Sequence, residues 1–202
     1  NLLGSLHVLE AARVQGLRQV VYASSAGVYG PDHANHPAPA THYGAFKLAV
    51  EGSARAYWHT HGLASVGFRP FIVYGPGRET GVSAGPSLAC RAAACGQPYG
   101  IGYTGAAGLV YVDDVAEAFE HALLAPAAGA SVFSLVGQQY TVEQVIAEIC
   151  QQVPGAQLRA EGPPLTIAAN VGEAELDTWL PGRQRTSLTD GVAATLAYYR
   201  TH

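Results

Sequence analysis

The 202-residue chain contains no methionine, two tryptophans and three cysteines, and only 13% of its residues are charged. Its formal net charge of −4 leaves no basic excess of the kind that nucleic acid attracts. No apolar run approaches the ~20 residues that a helix needs to cross a bilayer. Neither nucleic acid nor membrane is therefore expected as a partner. Cys90, Cys95 and Cys150 are odd in number and lack metal-ligand spacing, which points to reduced thiols in a cytoplasmic protein. Methionine is missing even at position 1, and the chain opens inside a helical pattern with no strand before it. A fragment without its natural N-terminus is the expectation.

What is plentiful is apolar material, 49% of the residues, enough for one domain or one plus a small lobe. The chain is organised around two stretches. Val20 to Gly30 (VVYASSAGVYG) reads as a β-branched strand ending in small hydroxyl residues, and Tyr43 to Lys47 (YGAFK) follows. On a helix, Tyr43 and Lys47 lie one above the other. An ammonium beside a phenol favours the phenolate, and a nearby serine can hold the substrate oxygen whose proton the phenol moves. The set suits an alcohol/ketone pair.

Taken in order, the chain alternates helix and strand. Residues 1–15 carry apolar side chains near a 3.6 period, closed by Gly16, and residues 18–24 form a strand whose VVYA run suggests burial on both faces. Pro31 to Thr41 is a loop. Its histidines, His33 and His36, with His42 beyond, lack the partners of a metal site, so no metal is expected. A helix over 43–61, a strand over 64–69 and a turn over 70–77 come next. Short connections in this order imply right-handed crossovers and a parallel sheet, whose ligands sit beyond the carboxyl ends of its strands. Ser24–Ser25 and Pro70–Tyr74 should converge there. Further on we expect helices over 85–94, 115–124, 141–152, 171–180 and 188–199, and strands over 99–102, 109–112 and 131–136. Asp113 or Asp114 would cap the 115–124 helix, and Thr141 with Gln144 resembles a capping box.

Four ordered segments carry a family resemblance: VYASSAGVYG, Tyr43-Gly44-x-x-Lys47, Arg69-Pro70-Phe71-Ile72-Val73-Tyr74-Gly75-Pro76-Gly77, and Leu109-Val110-Tyr111-Val112-Asp113-Asp114-Val115-Ala116. Together they resemble the extended short-chain dehydrogenase/reductase family, also called the NAD-dependent epimerase/dehydratase family. The resemblance implies an α/β fold: the C-terminal half of a Rossmann-like parallel sheet with helices on both faces, plus a small C-terminal α/β substrate lobe. Residues 1–77 would form the partial dinucleotide-binding domain. Residues 78–202 would be mostly the substrate lobe, with 109–136 returning to the main sheet.

By motif position, the resemblance makes Tyr43 the acid/base, Lys47 its tuner and a cofactor-ribose ligand, and Ser25 the partner of the substrate oxygen. Ala23, Ser24 and Phe71 would face the cofactor together with Tyr43 and Lys47, while Tyr74 and Arg78 join Ser25 as substrate contacts. The implied cofactor is NAD, with NADP left open. The implied reaction is hydride transfer at a carbinol carbon of a sugar or sugar acid. The resemblance also suggests homodimer pairing through the helices over 2–15 and 43–61.

Three departures qualify this. The family's Gly-rich fingerprint is not in its expected place, and Gly100-x-Gly102-x-x-Gly105 is followed by a strand instead of the required helix. Ile72 stands where many sugar-nucleotide members carry asparagine. Gly105 to Leu109 lacks the arginine that such members often place just before this strand to hold phosphate, though Arg78 or Arg91 could substitute. These departures favour a smaller sugar acid or hydroxy compound. Two rival readings follow. The chain could be a truncated fragment that binds no cofactor by itself. Alternatively, Ser25, Asp113 or Asp114, and His121 follow the order of an α/β-hydrolase triad, although position 23 is alanine where the nucleophile elbow needs glycine.

Overall fold

The computed structural model describes residues 1–31, 36–126, 128–165 and 171–202. The main sheet is parallel throughout, in the order β1 (Gln19–Ala23), β2 (Ala64–Pro70), β6 (Ala130–Leu135). Helices cover both of its faces. Val66 and Phe68 of β2 point to one side, where they meet Ala118 and Ala122 of α4 (Val112–Leu124) and Leu176 of α6 (Ala174–Trp179). Val20 and Tyr22 of β1 point to the other side, against Leu9 and Ala12 of α1 (Leu2–Val14) and Ala54 of α2 (His42–His61). Gly67 makes room there, because a Cβ on it would lie 2.5 Å from the Tyr22 ring.

β1 is half-buried and has a partner on one side only among the described residues, so its VVYA run is less covered than a central strand would be. The reason is positional: apolar composition marks a strand as parallel, but neighbours decide whether it is central.

The chain then changes sheet. Phe71 donates its N–H to Leu135 O at 2.9 Å, and β3 (Ile72–Tyr74) pairs with β5 (Ala106–Tyr111). β5 pairs antiparallel with β7 (Gln138–Thr141) on its other edge. Only α4 and β6 of the 109–136 stretch therefore return to the main sheet, and β5 belongs to the second. β4 (Tyr99–Ile101) and β8 (Leu158–Ala160) make a third, two-stranded sheet. α3 (Gly85–Ala94), α5 (Val142–Gln152) and α7 (Leu188–Thr201) enclose the core of this lobe, with Ile101, Ile149 and Leu196 at its centre.

Local chemistry sets most ends. Thr41 Oγ1 accepts from Gly44 N at 3.1 Å to start α2, and Gly62, at φ +66°, ends it. Thr141 and Gln144 form a full capping box on α5. Asp113 and Asp114 do not cap α4, whose N-cap is Tyr111. The Asp114 carboxylate instead accepts from Thr186 N (2.8 Å) and Thr186 Oγ1 (2.6 Å), tying the C-terminal segment to α4. Within the expected 171–180 helix, only Ala174–Trp179 is helical. No described helix is long and apolar enough to cross a membrane.

Candidate active site

A cleft of about 750 Å³ opens at the carboxyl ends of β1 and β2, where the two sheets diverge. One wall is the strand end Ser24–Gly27 with Tyr29, Thr41 and Tyr43. The other is Pro70–Val73, Arg78 and the loop through Ser83. Arg78 is the one charged side chain lining it among the described residues.

Ser25 caps a 3-10 turn (Ala26–Val28), its Oγ accepting from Gly27 N at 3.0 Å. The first turn of α2 sits hard against this turn, and a Cβ on Gly44 would lie 1.9 Å from Gly27 O. That approach brings Tyr43 to Ser25. A Cβ placed on Gly27 would lie 3.4 Å from Ser25 Oγ and 3.4 Å from Tyr43 Cδ1, so hydroxyl and ring flank the same point. Lys47 Nζ stands 5.8 Å from the centre of the Tyr43 ring and donates to Ala23 O at 2.7 Å. That bond uses one of three ammonium donors and fixes the side chain along the strand end.

The remaining expected residues divide. Phe71 and Ser24 border the cleft, but the Ser24 hydroxyl is turned inward and donates to Glu51. Tyr74 does not reach the cleft. It is buried in the core of the second lobe, packed on Tyr111, with Ser187 O 3.5 Å from its hydroxyl. Burial raises its phenol above the ordinary range. Val73 borders the cleft, whereas Tyr74, at the far end of β3, lies in the core of the second lobe. Arg78 borders the cleft while bonded to its own loop, through Thr80 O and through Ser83 Oγ at 3.2 Å.

The triad alternative loses its histidine, which packs edge-on against Trp179 at 5.0 Å, and one of its two aspartates, since Asp114 is held by Thr186. Gly100–Gly105 connects β4 to β5 and precedes no helix. Among the described residues, no three His, Cys, Asp or Glu side chains gather as metal ligands; His33 lies outside those residues.

Sequence reading missed the group beneath the cleft. Glu51 and Arg69 form an ion pair with Arg69 Nε at 2.8 Å from Oε1 and Nη2 at 2.6 Å from Oε2. Burial works against the Arg69 charge, yet the bonds to Glu51 outweigh it and hold the guanidinium above its usual range. Two signals were available. Glu51 continues the four-residue spacing of Tyr43 and Lys47, and an arginine ending an apolar strand needs a buried partner.

Comparison with known proteins fits this arrangement. Residues 1–140 match the family described as "NAD dependent epimerase/dehydratase family". The chain belongs to that family. A UDP-glucose 4-epimerase of Mycolicibacterium smegmatis is 32% identical over 99% of this chain, which spans 68% of that relative. A Thermus thermophilus UDP-glucose 4-epimerase solved in complex with NAD is 25% identical, with a TM-score of 0.85, and the match covers 98% of this chain and 69% of that one. An L-threonine dehydrogenase from Cupriavidus necator, in its holo form, is 26% identical with a TM-score of 0.87, over 97% of this chain and 70% of that one.

Membership in the epimerase/dehydratase family makes NAD-dependent chemistry the frame for the cleft. The residues present fit the nicotinamide end of such a cofactor: a roomy cleft at strand ends, floored by small side chains, with a lysine beside it whose ammonium has donors to spare. Among the described residues, Gly100–Gly105 offers no pyrophosphate cradle of the strand–glycine–helix kind, since it runs from β4 into β5 with no helix after it.

Proposed function

We propose that this chain carries the proton-transfer site of an NAD(P)-dependent epimerase or dehydrogenase acting on a secondary alcohol of a sugar acid or similar small anionic hydroxy compound. The observation that carries the reading is the convergence of Ser25 Oγ and the Tyr43 ring on one point of the cleft wall, with Lys47 fixed beside them. Ser25 holds the substrate oxygen, Tyr43 takes or returns its proton, and the Lys47 charge favours the phenolate during transfer. Lys47 and the strand end at Ala23 would hold the nicotinamide riboside, with Phe71 opposite. Bound there, nicotinamide supplies the hydride acceptor.

Arg78 gives the substrate class. As the only cation lining the cleft among the described residues, it suits one carboxylate or phosphate. The substrates named for the relatives above, UDP-glucose and L-threonine, share a secondary alcohol and an anionic group, which supports that pairing. Residues 1–77 would serve cofactor and proton transfer, and most of 78–202 the substrate.

Titration of the 202-residue chain with NAD and NADP tests the proposal, followed by turnover assays on sugar acids and short hydroxy acids. Micromolar NAD binding with turnover is expected, and Tyr43→Phe should abolish turnover while leaving NAD affinity unchanged. Full turnover by Tyr43→Phe would refute the acid/base role. The second reading, a fragment that binds no cofactor alone, draws support from the half-covered edge strand β1. It predicts no binding by this chain and binding by a version extended upstream.

A further inference from the structure

The 3-10 turn that presents Ser25 is bracketed by two residues with inward-turned hydroxyls. Ser24, just before it, donates to Glu51 Oε1, and Tyr29, just after it, accepts from Arg69 Nη1 at 2.7 Å. Both anchors therefore belong to one ion pair, whose side chains are only 7% (Glu51) and 14% (Arg69) exposed. The Arg69 guanidinium also stacks over the Tyr29 ring at 5.1 Å, and Ser134 Oγ completes the set at 3.0 Å from Tyr29 OH. Glu51 stands two turns beyond Tyr43 and one beyond Lys47 on the same helix face. α2 is thus fastened to consecutive residues of the strand end, to Ala23 O through Lys47 and to Ser24 Oγ through Glu51.

We infer that Glu51, backed by Arg69, is the positioning residue of this site: by holding Ser24 inward and Tyr29 through Arg69, it sets the turn so that Ser25 faces the cleft beside Tyr43. The two adjacent serines are chemically alike, and the ion pair separates their jobs. Ser25 is extended (φ −164°, ψ 150°), so successive side chains leave on opposite sides. Fixing Ser24 under the sheet end fixes Ser25 over the cleft. Glu51 touches neither substrate nor cofactor in this role. The inference rests on the proposed proton-transfer reading only for its catalytic consequence; its structural part stands on the bonds above.

The test uses Ser24→Ala, which cuts the link and spares the ion pair, alongside Glu51→Gln. In the 202-residue chain, NMR should show a nuclear Overhauser contact between the Tyr43 ring and the Gly27 α protons, which the close approach of the two residues requires. Both variants should lose most of that signal while the core methyl spectrum stays as in the wild type. Where the wild type turns over, kcat should fall by about tenfold or more with KM within about twofold, the mark of misplaced reacting groups. An undiminished Tyr43–Gly27 contact in Ser24→Ala would overturn the inference, whether or not Glu51→Gln folds. A wild type that shows the contact but neither binds NAD nor turns over would defeat the proposed function and leave this inference to the NMR result.

Discussion

Two glycines of α2 give a self-controlled test of how the helix meets the serine turn. Gly52 is exposed, and a Cβ on it meets nothing within 4 Å. Gly44 is buried, and its Cβ would lie 1.9 Å from Gly27 O, 2.8 Å from Gly27 C and 2.9 Å from Pro39 Cβ. In an exposed helix interior, alanine is favoured over glycine by about 1 kcal/mol. Gly52→Ala should therefore stabilise the protein by nearly that much. Gly44→Ala starts with the same gain but must open a gap of more than an ångström between two backbones, since carbon–oxygen contacts normally start near ~3.3 Å. Overpacking of this kind costs about 1–3 kcal/mol, so the net change should be a loss of up to about 2 kcal/mol. Urea unfolding followed by fluorescence reads both, with Trp58 on α2 itself and Trp179 packed on Phe68 in the core of the main sheet. Thermal midpoints should move in opposite directions, by about 2–4 °C per kcal/mol for a chain of this size. Equal stabilisation by the two substitutions would refute the close approach, and with it the account of how Tyr43 reaches Ser25.

Other outcomes follow from the same bonds. The bonds from Arg13 and Tyr57 hold the Glu10 carboxyl down at about 2, so its contribution to stability is present above the ordinary carboxylate range and is lost as pH falls toward 2. An NMR titration should show this midpoint, and Arg13→Gln should raise it toward 4.5. Burial pushes the Cys90 thiol up to about 12. A thiol reagent should modify exposed Cys95 first and reach Cys90 only on unfolding, as peptide mapping would show. Asp114→Ala should cost about 1–3 kcal/mol in urea unfolding, because the part-buried Thr186 N–H and hydroxyl lose their acceptor.

The first half of the fold was legible because its signals are local. A β-branched run, a Gly-terminated helix and a second apolar strand place β1, α2 and β2 within a residue or so. The capping box at Thr141 was equally plain. What failed depended on partners distant in sequence. β3 was hidden in the RPFIVYGPG turn, since three residues form a strand only when β5 lies alongside. β7 and β8 are short for the same reason. The Asp113–Asp114 cap looked sound locally, but Thr186, 72 residues beyond Asp114, claims the carboxylate. In the site, Ser25, Tyr43 and Lys47 come together as their motif spacing suggests, whereas Tyr74 shares the motif and faces the other way. Spacing reports which residues neighbour each other along an element; the side they face is settled by the sheet they join.

Phe71 sits alone between two strands that pair into different sheets. One wall of the cleft is thus built by Ser24–Gly27, Tyr29, Thr41 and Tyr43 and the other largely by Pro70–Val73, Arg78, Ser83 and Leu165. Mutation can rewrite the second wall, including Arg78, without disturbing a single hydrogen bond that holds Ser24, Lys47 or Glu51. On the proposed roles of Ser25, Tyr43 and Lys47, a lineage built on this plan would trade one substrate for another while inheriting those three residues unaltered, and Phe71 marks the seam along which that exchange would take place.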